Sequence, residues 1–307
     1  MGEVSIVLAT YNGAGYFREQ IDSILKNTYT DWTLEICDDG SSDRTMDIAK
    51  EYQEAYPDKI RIHRNEQQLG VTLNFLEGAK RAQGDYIMFC DQDDVWLPEK
   101  IEKTLAHMKQ REQAIGKEKP VAVFTDARLV DGVLRKINDS FFYYNGLDTT
   151  KLDLAHMLME NKVIGCTTMF NKALADKIIE FPKFARYHDW WIGLIAVVFG
   201  ELSYLDEPTM LYRQHGKNVV GSQNFFEYVK DRITGLPAQR EVLVKTEKQA
   251  WEFYEIYKDY LLEEQGQIIK EFASLHNVNW IERRDRLFRH GYWKSGKLRN
   301  IGVFLLV

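Results

Sequence analysis

The sequence predicts an α/β protein built on a largely parallel sheet, followed by a helical extension. Short apolar runs alternate with helical periodicity through the first hundred residues, the pattern of successive βαβ units. One of those runs, Tyr86 to Cys90, is continuously apolar and bounded by charge, as expected of a central strand covered on both faces. Beyond about Gly221 the strand signals give way to long, charged, helical periodicity.

In chain order, Val4 to Ala9 reads as the first strand, and Phe17, Ile21, Ile24 and Leu25 mark one face of the first helix. Trp32 to Cys37 is the second strand. Ser42 and Asp43 are placed to cap a helix carrying Ile48, Ala49, Tyr52 and Tyr56. Ile60 to His63 follows as a strand, and Thr72 is expected to cap a helix with Leu73, Leu76 and Ala79. After Tyr86 to Cys90, Pro98 stands where the first residue of a helix would. Val121 to Thr125, Val163 to Phe170 and Thr209 to Tyr212 are the remaining strand candidates, around a helix that begins near Asp189.

The formal net charge of -6 argues against a general nucleic-acid binder. Cys37, Cys90 and Cys166 are odd in number, far apart and embedded in apolar runs, so neither a disulfide framework nor a zinc site is suggested and a reducing compartment fits. No secretory leader pattern opens the chain. The longest apolar run, Trp190 to Gly200, is short of the roughly 18 to 20 residues that span a bilayer. Near the end, seven cations between Arg283 and Arg299 face only Glu282 and Asp285.

The strongest chemical signal is Asp91-Gln92-Asp93-Asp94-Val95-Trp96, three carboxylates at the carboxyl end of the buried strand. Ligands of open α/β sheets bind there, and hard oxygen ligands suit Mg²⁺ or Mn²⁺ holding a diphosphate. The competing reading is an acidic turn that caps the next helix. Cys37-Asp38-Asp39-Gly40-Ser41 and Thr10-Tyr11-Asn12-Gly13 also follow strands. The first is compatible with an ordinary turn, and the second offers an aromatic ring and polar edges to a base.

Taken together in this order, these motifs resemble those of glycosyltransferase family two, over roughly Val4 to Gly221. The resemblance implies the Rossmann-like GT-A fold, a central mostly parallel mixed sheet with a C-terminal helical extension, and inverting chemistry. It divides the chain into a catalytic domain at 1–221, with a nucleotide-binding half at 1–100 and an acceptor-binding half at 101–221, and a helical region at 222–307. It implies that Thr10, Tyr11, Asn12 and Asp39 hold the nucleoside, that Asp91 faces the ribose, and that Asp93 coordinates Mn²⁺ or Mg²⁺. Asn74 would keep a place near the nucleotide, although Leu73 stands where many members carry an arginine.

Asp189, in His188-Asp189-Trp190-Trp191, falls where the family places its general base; a plain helix cap is the alternative. Trp190 or Trp191 would supply a sugar-stacking wall, and Trp96 is grouped with them on the acceptor and diphosphate side. His215 would complete the metal shell, with Arg213 and Lys217 beside the diphosphate; a structural histidine is the alternative.

The detailed motif forms resemble the bacterial rhamnosyltransferase branch of cell-wall and capsular polysaccharide synthesis. That resemblance implies dTDP-L-rhamnose as donor, with UDP-sugars as competitors, and a lipid-linked saccharide as acceptor. The expected setting is cytoplasmic, peripheral on the inner face of the membrane through the basic C-terminal segment; packing on the catalytic domain or on another subunit in a homo-oligomer is the alternative. A nucleotidyltransferase, a nucleotide-sugar hydrolase and a non-catalytic binding module are the rival functions. No Gly-x-Gly-x-x-Gly follows the first strand, so a dinucleotide-binding dehydrogenase is disfavoured.

Overall fold

The computed structural model describes residues 3–215 and 236–306. The first half alternates β1 (Val4–Thr10), α1 (Phe17–Leu25), β2 (Trp32–Asp38), α2 (Thr45–Ala55), β3 (Ile60–Arg64), α3 (Val71–Arg81) and β4 (Tyr86–Cys90). A two-residue strand, β5 (Val95–Trp96), precedes α4 (Lys100–Ile115). Then come β6 (Val121–Asp131), β7 (Lys136–Asn138), α5 (Phe141–Asn145), α6 (Leu154–Met159), β8 (Thr168–Asn171), α7 (Lys172–Ala175), α8 (His188–Phe199) and β9 (Glu201–Gln214). The helical region holds α9 (Leu236–Tyr257), α10 (Glu263–Ala273), α11 (Trp280–His290) and α12 (Lys297–Leu306).

These strands make one mixed sheet in the order β3-β2-β1-β4-β8-β6-β9-β5, with β7 paired to β6. β1, β2, β3 and β4 are parallel neighbours, and every residue of β1, β2 and β4 is buried, because helices cover both faces. The register sets Thr10 opposite Asp38 and Leu8 opposite Cys90. The three chemistry-bearing loops therefore leave the sheet at one edge.

Beyond β4 the sheet changes direction. β8 runs antiparallel to both β4 and β6, whereas β6 and β9 are parallel, with irregularities on either side of Asp126. β9 is far longer than the Thr209 to Tyr212 segment expected, and its far half pairs Met210 and Leu211 with Trp96 and Val95 of β5. That pairing carries Arg213 and His215 to the loop after β4.

Three caps differ from expectation. Gly70, not Thr72, precedes α3, with φ of 80°, a left-handed value that glycine adopts without a Cβ penalty. Pro98 lies before the N-cap Glu99 of α4 rather than inside the helix. The N-cap of α2 is Arg44, not Ser42 or Asp43, although Asp43 Oδ1 accepts the Thr45 amide at 2.9 Å.

The boundary expected at 221/222 lies outside the described residues. The helices after it pack on the sheet domain. Trp191 of α8 stacks edge-on with Phe253 at 5.2 Å and lies 6.3 Å from Tyr257. Gln265 Nε2 donates to the Val198 carbonyl at 2.8 Å. All three cysteines are buried and free, and no helix among the described residues is long and apolar enough to cross a membrane.

Trp190 and Trp191, expected as a sugar-stacking wall, are 3% and 0% exposed. Trp190 Nε1 donates to the Met157 carbonyl at 2.5 Å. They are core residues, because α8 is covered by α6 on one side and by α9 on the other. Trp191→Ala should accordingly destabilise the chain by about 3–5 kcal/mol, read as a lowered urea midpoint, with nucleotide affinity retained. An unchanged midpoint would contradict the core assignment.

Candidate active site

A cavity of about 700 Å³ opens where the ends of β1, β2 and β4 meet the loops around α6 and α8. Thr10, Tyr11, Asp39, Asn74, Asp91, Asp93 and Asp189 all line it.

The β1 and β2 loops are tied together before any ligand arrives. Asn12 accepts the Ser42 amide on Oδ1 at 2.8 Å and donates its own amide to Ser41 Oγ at 2.9 Å, so it braces the loops and is not among the cavity's lining residues. Asp39, 4% exposed, accepts from Asn65 Nδ2 and the Leu69 amide on Oδ1, at 2.9 and 2.7 Å, and from the Gly70 amide on Oδ2 at 2.8 Å. Asn74 Nδ2 donates to the Cys37 carbonyl at 2.8 Å and its Oδ1 accepts from Asn65 Nδ2 at 2.9 Å, which makes it a support for Asp39. Tyr11 is 47% exposed, a ring available for stacking.

Sequence reasoning missed Gln92. Its Oε1 accepts from Thr10 Oγ1 at 2.7 Å and from the Tyr11 amide at 2.9 Å, and its Nε2 donates back to the Tyr11 carbonyl. A Cβ on Gly13 would lie 2.2 Å from that oxygen, so glycine at 13 is what lets the clamp close.

The acidic loop is crowded. Burial, then the neighbouring Asp93 charge, pushes Asp91 up to about 7. Asp94 is raised well above the usual carboxylate range by burial and by Asp93 and Asp91. Its Oδ1 accepts the Arg213 amide at 2.9 Å, whereas Oδ2 is buried without a partner. Donor atoms of Asp91, Asp94 and Cys166 lie within 4.8 Å of one another; burial keeps the Cys166 thiol protonated by raising its pKa well above the usual value. Beneath them Lys100 is fully buried, its Nζ on Thr209 Oγ1 at 3.1 Å, and desolvation lowers it to about 8.

Asp93 meets His215 Nε2 at 2.8 Å, so the pair expected to bind metal is brought together. His215 stacks on Tyr16 with ring centres 4.9 Å apart. Hard carboxylate oxygens, an imidazole nitrogen and an orphaned buried carboxylate oxygen fit a divalent cation such as Mn²⁺ or Mg²⁺. Arg213, expected at the diphosphate, is 2% exposed. Its guanidinium donates to the Asp93 and Gly132 carbonyls at 2.7 and 2.8 Å and pairs with Glu19. It therefore fixes the acidic loop instead of lining the cavity. Trp96, 2% exposed and also absent from the cavity wall, is packed over by Lys100 at 5.0 Å. Lys217 lies outside the described residues.

Asp189 is the second residue of α8, in its first turn after the N-cap Tyr187. Asn161 Nδ2 and the Trp190 amide reach Oδ1 at 2.9 and 2.6 Å, and the Gly165 amide reaches Oδ2 at 3.0 Å. Burial raises it to about 6, against the lowering effect of those donors. His188, also on the wall, is held neutral by burial, which lowers it to about 3; its ring stacks on Phe75 with centres 3.9 Å apart.

The sequence profile of glycosyl transferase family 2 matches residues 5–175. The chain belongs to glycosyl transferase family 2. Among relatives, this glycosyltransferase is 30% identical over 243 residues to the dTDP-rhamnosyl transferase RfbG of Shigella flexneri, covering 74% of this chain and 78% of RfbG. Its fold matches the crystal structure of Staphylococcus aureus TarS 1-349 with a TM-score of 0.58 at 18% identity, over 94% of this chain and 72% of TarS. It also matches the mannosyltransferase PcManGT of Pyrobaculum calidifontis, solved with GDP-Man and Mn²⁺, with a TM-score of 0.56 at 15% identity, over 99% and 79% of the two chains. The glycosyltransferase thus has the expected GT-A architecture. What neither motif nor resemblance indicated is that α12 of the helical region reaches the cavity, through Arg299.

Proposed function

We propose that this glycosyltransferase transfers L-rhamnose from dTDP-L-rhamnose, with inversion, to a saccharide hydroxyl of a lipid-linked cell-surface polysaccharide precursor on the cytoplasmic face of the membrane. One observation carries the catalytic reading: a carboxylate, Asp189, is held by three donors on the wall of the cavity that also contains Asp39, Asp91 and Asp93. The rhamnose donor is supported by the similarity to RfbG, and UDP-hexoses are the alternative.

Asp39 keeps a lone pair on Oδ2 for a pyrimidine N–H, while its other contacts fix its orientation. The Gln92 clamp presents Thr10 and the Tyr11 ring to the nucleoside, and Asp91 faces the ribose. Asp93 and His215 would hold a divalent cation, which supplies charge neutralisation for the departing diphosphate. Asp189 removes the acceptor hydroxyl proton as that oxygen attacks the anomeric carbon from the face opposite the leaving group. Asn161 and the Gly165 amide keep the carboxylate aimed.

Because burial lifts Asp189 to about 6, the base is a carboxylate above that pH and a carboxylic acid below it. Turnover should rise with pH through about 6 and then level off. The test is nucleoside diphosphate release from dTDP-L-rhamnose and from UDP-hexoses across that range. Asp189→Asn should cut release roughly 10²–10⁴-fold with nucleotide affinity kept. Equal release from all donors removes the rhamnose assignment, and an unaffected variant removes the base.

For the membrane contact, α11 and α12 expose Trp280, Ile281, Phe288, Leu298, Ile301 and Leu305, each more than half exposed. Arg286, Arg289 and Arg299 are instead paired with acids of the chain itself, so the apolar face, more than net charge, drives the association. Flotation with phosphatidylglycerol vesicles should be lost when Trp280, Ile281, Ile301 and Leu305 are replaced by serine. Undiminished flotation defeats this part.

A further inference from the structure

The wall of the cavity is electrically divided. Asp39, Asp91, Asp93 and Asp189 line the part formed by the strand ends and the start of α8, whereas Lys162, Arg186 and Arg299 line the part beside α6 and the C-terminal helices. Glu160 is the acid on that second part, and both its oxygens are committed. Oε1 accepts from Arg299 Nη1 at 3.0 Å, and Oε2 accepts from the Ser295 amide and hydroxyl at 2.7 and 2.6 Å.

Lys162 and Arg186 form no ion pair within 4 Å of any described carboxylate. Lys162 is 1% exposed, and its Nζ donates to the Asp148 and Lys151 carbonyls at 3.0 and 2.8 Å, two of the three bonds an ammonium can give. Arg186 is half-buried; Nη1 donates to Thr246 Oγ1 at 3.0 Å, and its carbon centre lies 5.2 Å from the Trp190 ring. Its other side-chain hydrogen-bond partner is the Tyr187 phenol, so neither partner is an anion. Lys162 feels the charges of Glu160, Asp148 and Asp153 without pairing with them, whereas no acid among the described residues acts on Arg186 in the same way. Buried or half-buried cations are ordinarily matched by an anion, and the space beside Arg186 is the cavity itself.

We propose that this part of the cavity is an acceptor subsite for an anionic group, a carboxylate or a phosphate carried by the acceptor, recognised chiefly by Arg186 with Lys162 behind it. The proposal rests on the glycosyltransferase reading and extends it to the acceptor's charge. Arg186 stands three positions before Asp189 in the sequence, so an anion bound there would set the register of the acceptor chain relative to the base. A planar guanidinium binds carboxylate or phosphate bidentately, which fixes orientation as well as affinity.

The test fills the nucleotide site first, so that the donor's own phosphates cannot be the anion detected. Chain saturated with dTDP and Mn²⁺ is titrated at constant ionic strength with methyl glucuronide, with glycerol phosphate and with neutral methyl glucoside. At least one anionic probe should bind about tenfold or more tightly than the neutral one, and Arg186→Gln should remove that advantage. Lys162→Gln should reduce it. Glucuronide preference identifies a carboxylate and glycerol phosphate preference a phosphate. Equal binding of all three probes to the native chain overturns the proposal without any variant, as does an undiminished preference in folded Arg186→Gln. Failure of dTDP itself to bind would instead strike at the glycosyltransferase reading.

Discussion

Everything at the site depends on holding like charges together. Asp91, Asp93 and Asp94 share one short loop, and Asp189 adds its charge to Asp91 from α8. Repulsion and desolvation both disfavour four simultaneous carboxylates. The fold answers with oriented donors and buried cations: the Arg213 amide on Asp94, the Arg213 guanidinium on the Asp93 carbonyl, three donors on Asp189, and Lys100 beneath the loop. What the protein leaves uncompensated, notably Asp94 Oδ2, is the kind of donor that the proposed divalent cation would take.

The same constraint explains the unusual length of β9. A strand ending at Tyr212 would leave the acidic loop without Arg213 and His215. Continuing to Gln214, and pairing with β5 on the way, sets both residues against Asp93 and Asp94. Glu19 of α1 then closes the arrangement from the nucleotide-binding side. The acidic loop, the first helix and β9 are therefore one connected polar structure, and a change at Arg213 would be felt at all three.

The first half of the fold was legible because each strand is a continuous apolar run and each helix has a periodic face; β1, β2, β3 and β4 came out within a residue of their ends. The motifs at the ends of β1, β2 and β4 were legible because they follow those strands in order, and Asp189 came from the family resemblance; all contribute to one cavity. Less legible was anything decided by tertiary packing. Trp190 and Trp191 look like ligand-binding aromatics in the sequence, and only the covering α6 and α9 make them core. Arg213 reads as a phosphate ligand until its carbonyl and Glu19 partners are seen. Gln92, an ordinary polar residue between two aspartates, carries no local sign that it clamps β1 to β4. The reach of α12 into the cavity has no periodicity that could have announced it.

The cavity thus carries carboxylates and cations on one wall, with Asp189 held among neutral donors. A divalent cation completing the Asp93–His215 pair would join it to the nucleotide. Calorimetric titration of dTDP into the chelator-treated chain, with and without Mn²⁺, addresses this most directly. Mn²⁺ should tighten nucleotide binding by about tenfold or more in the native chain and have little effect in Asp93→Asn. Equal dTDP affinity with and without the metal would contradict it.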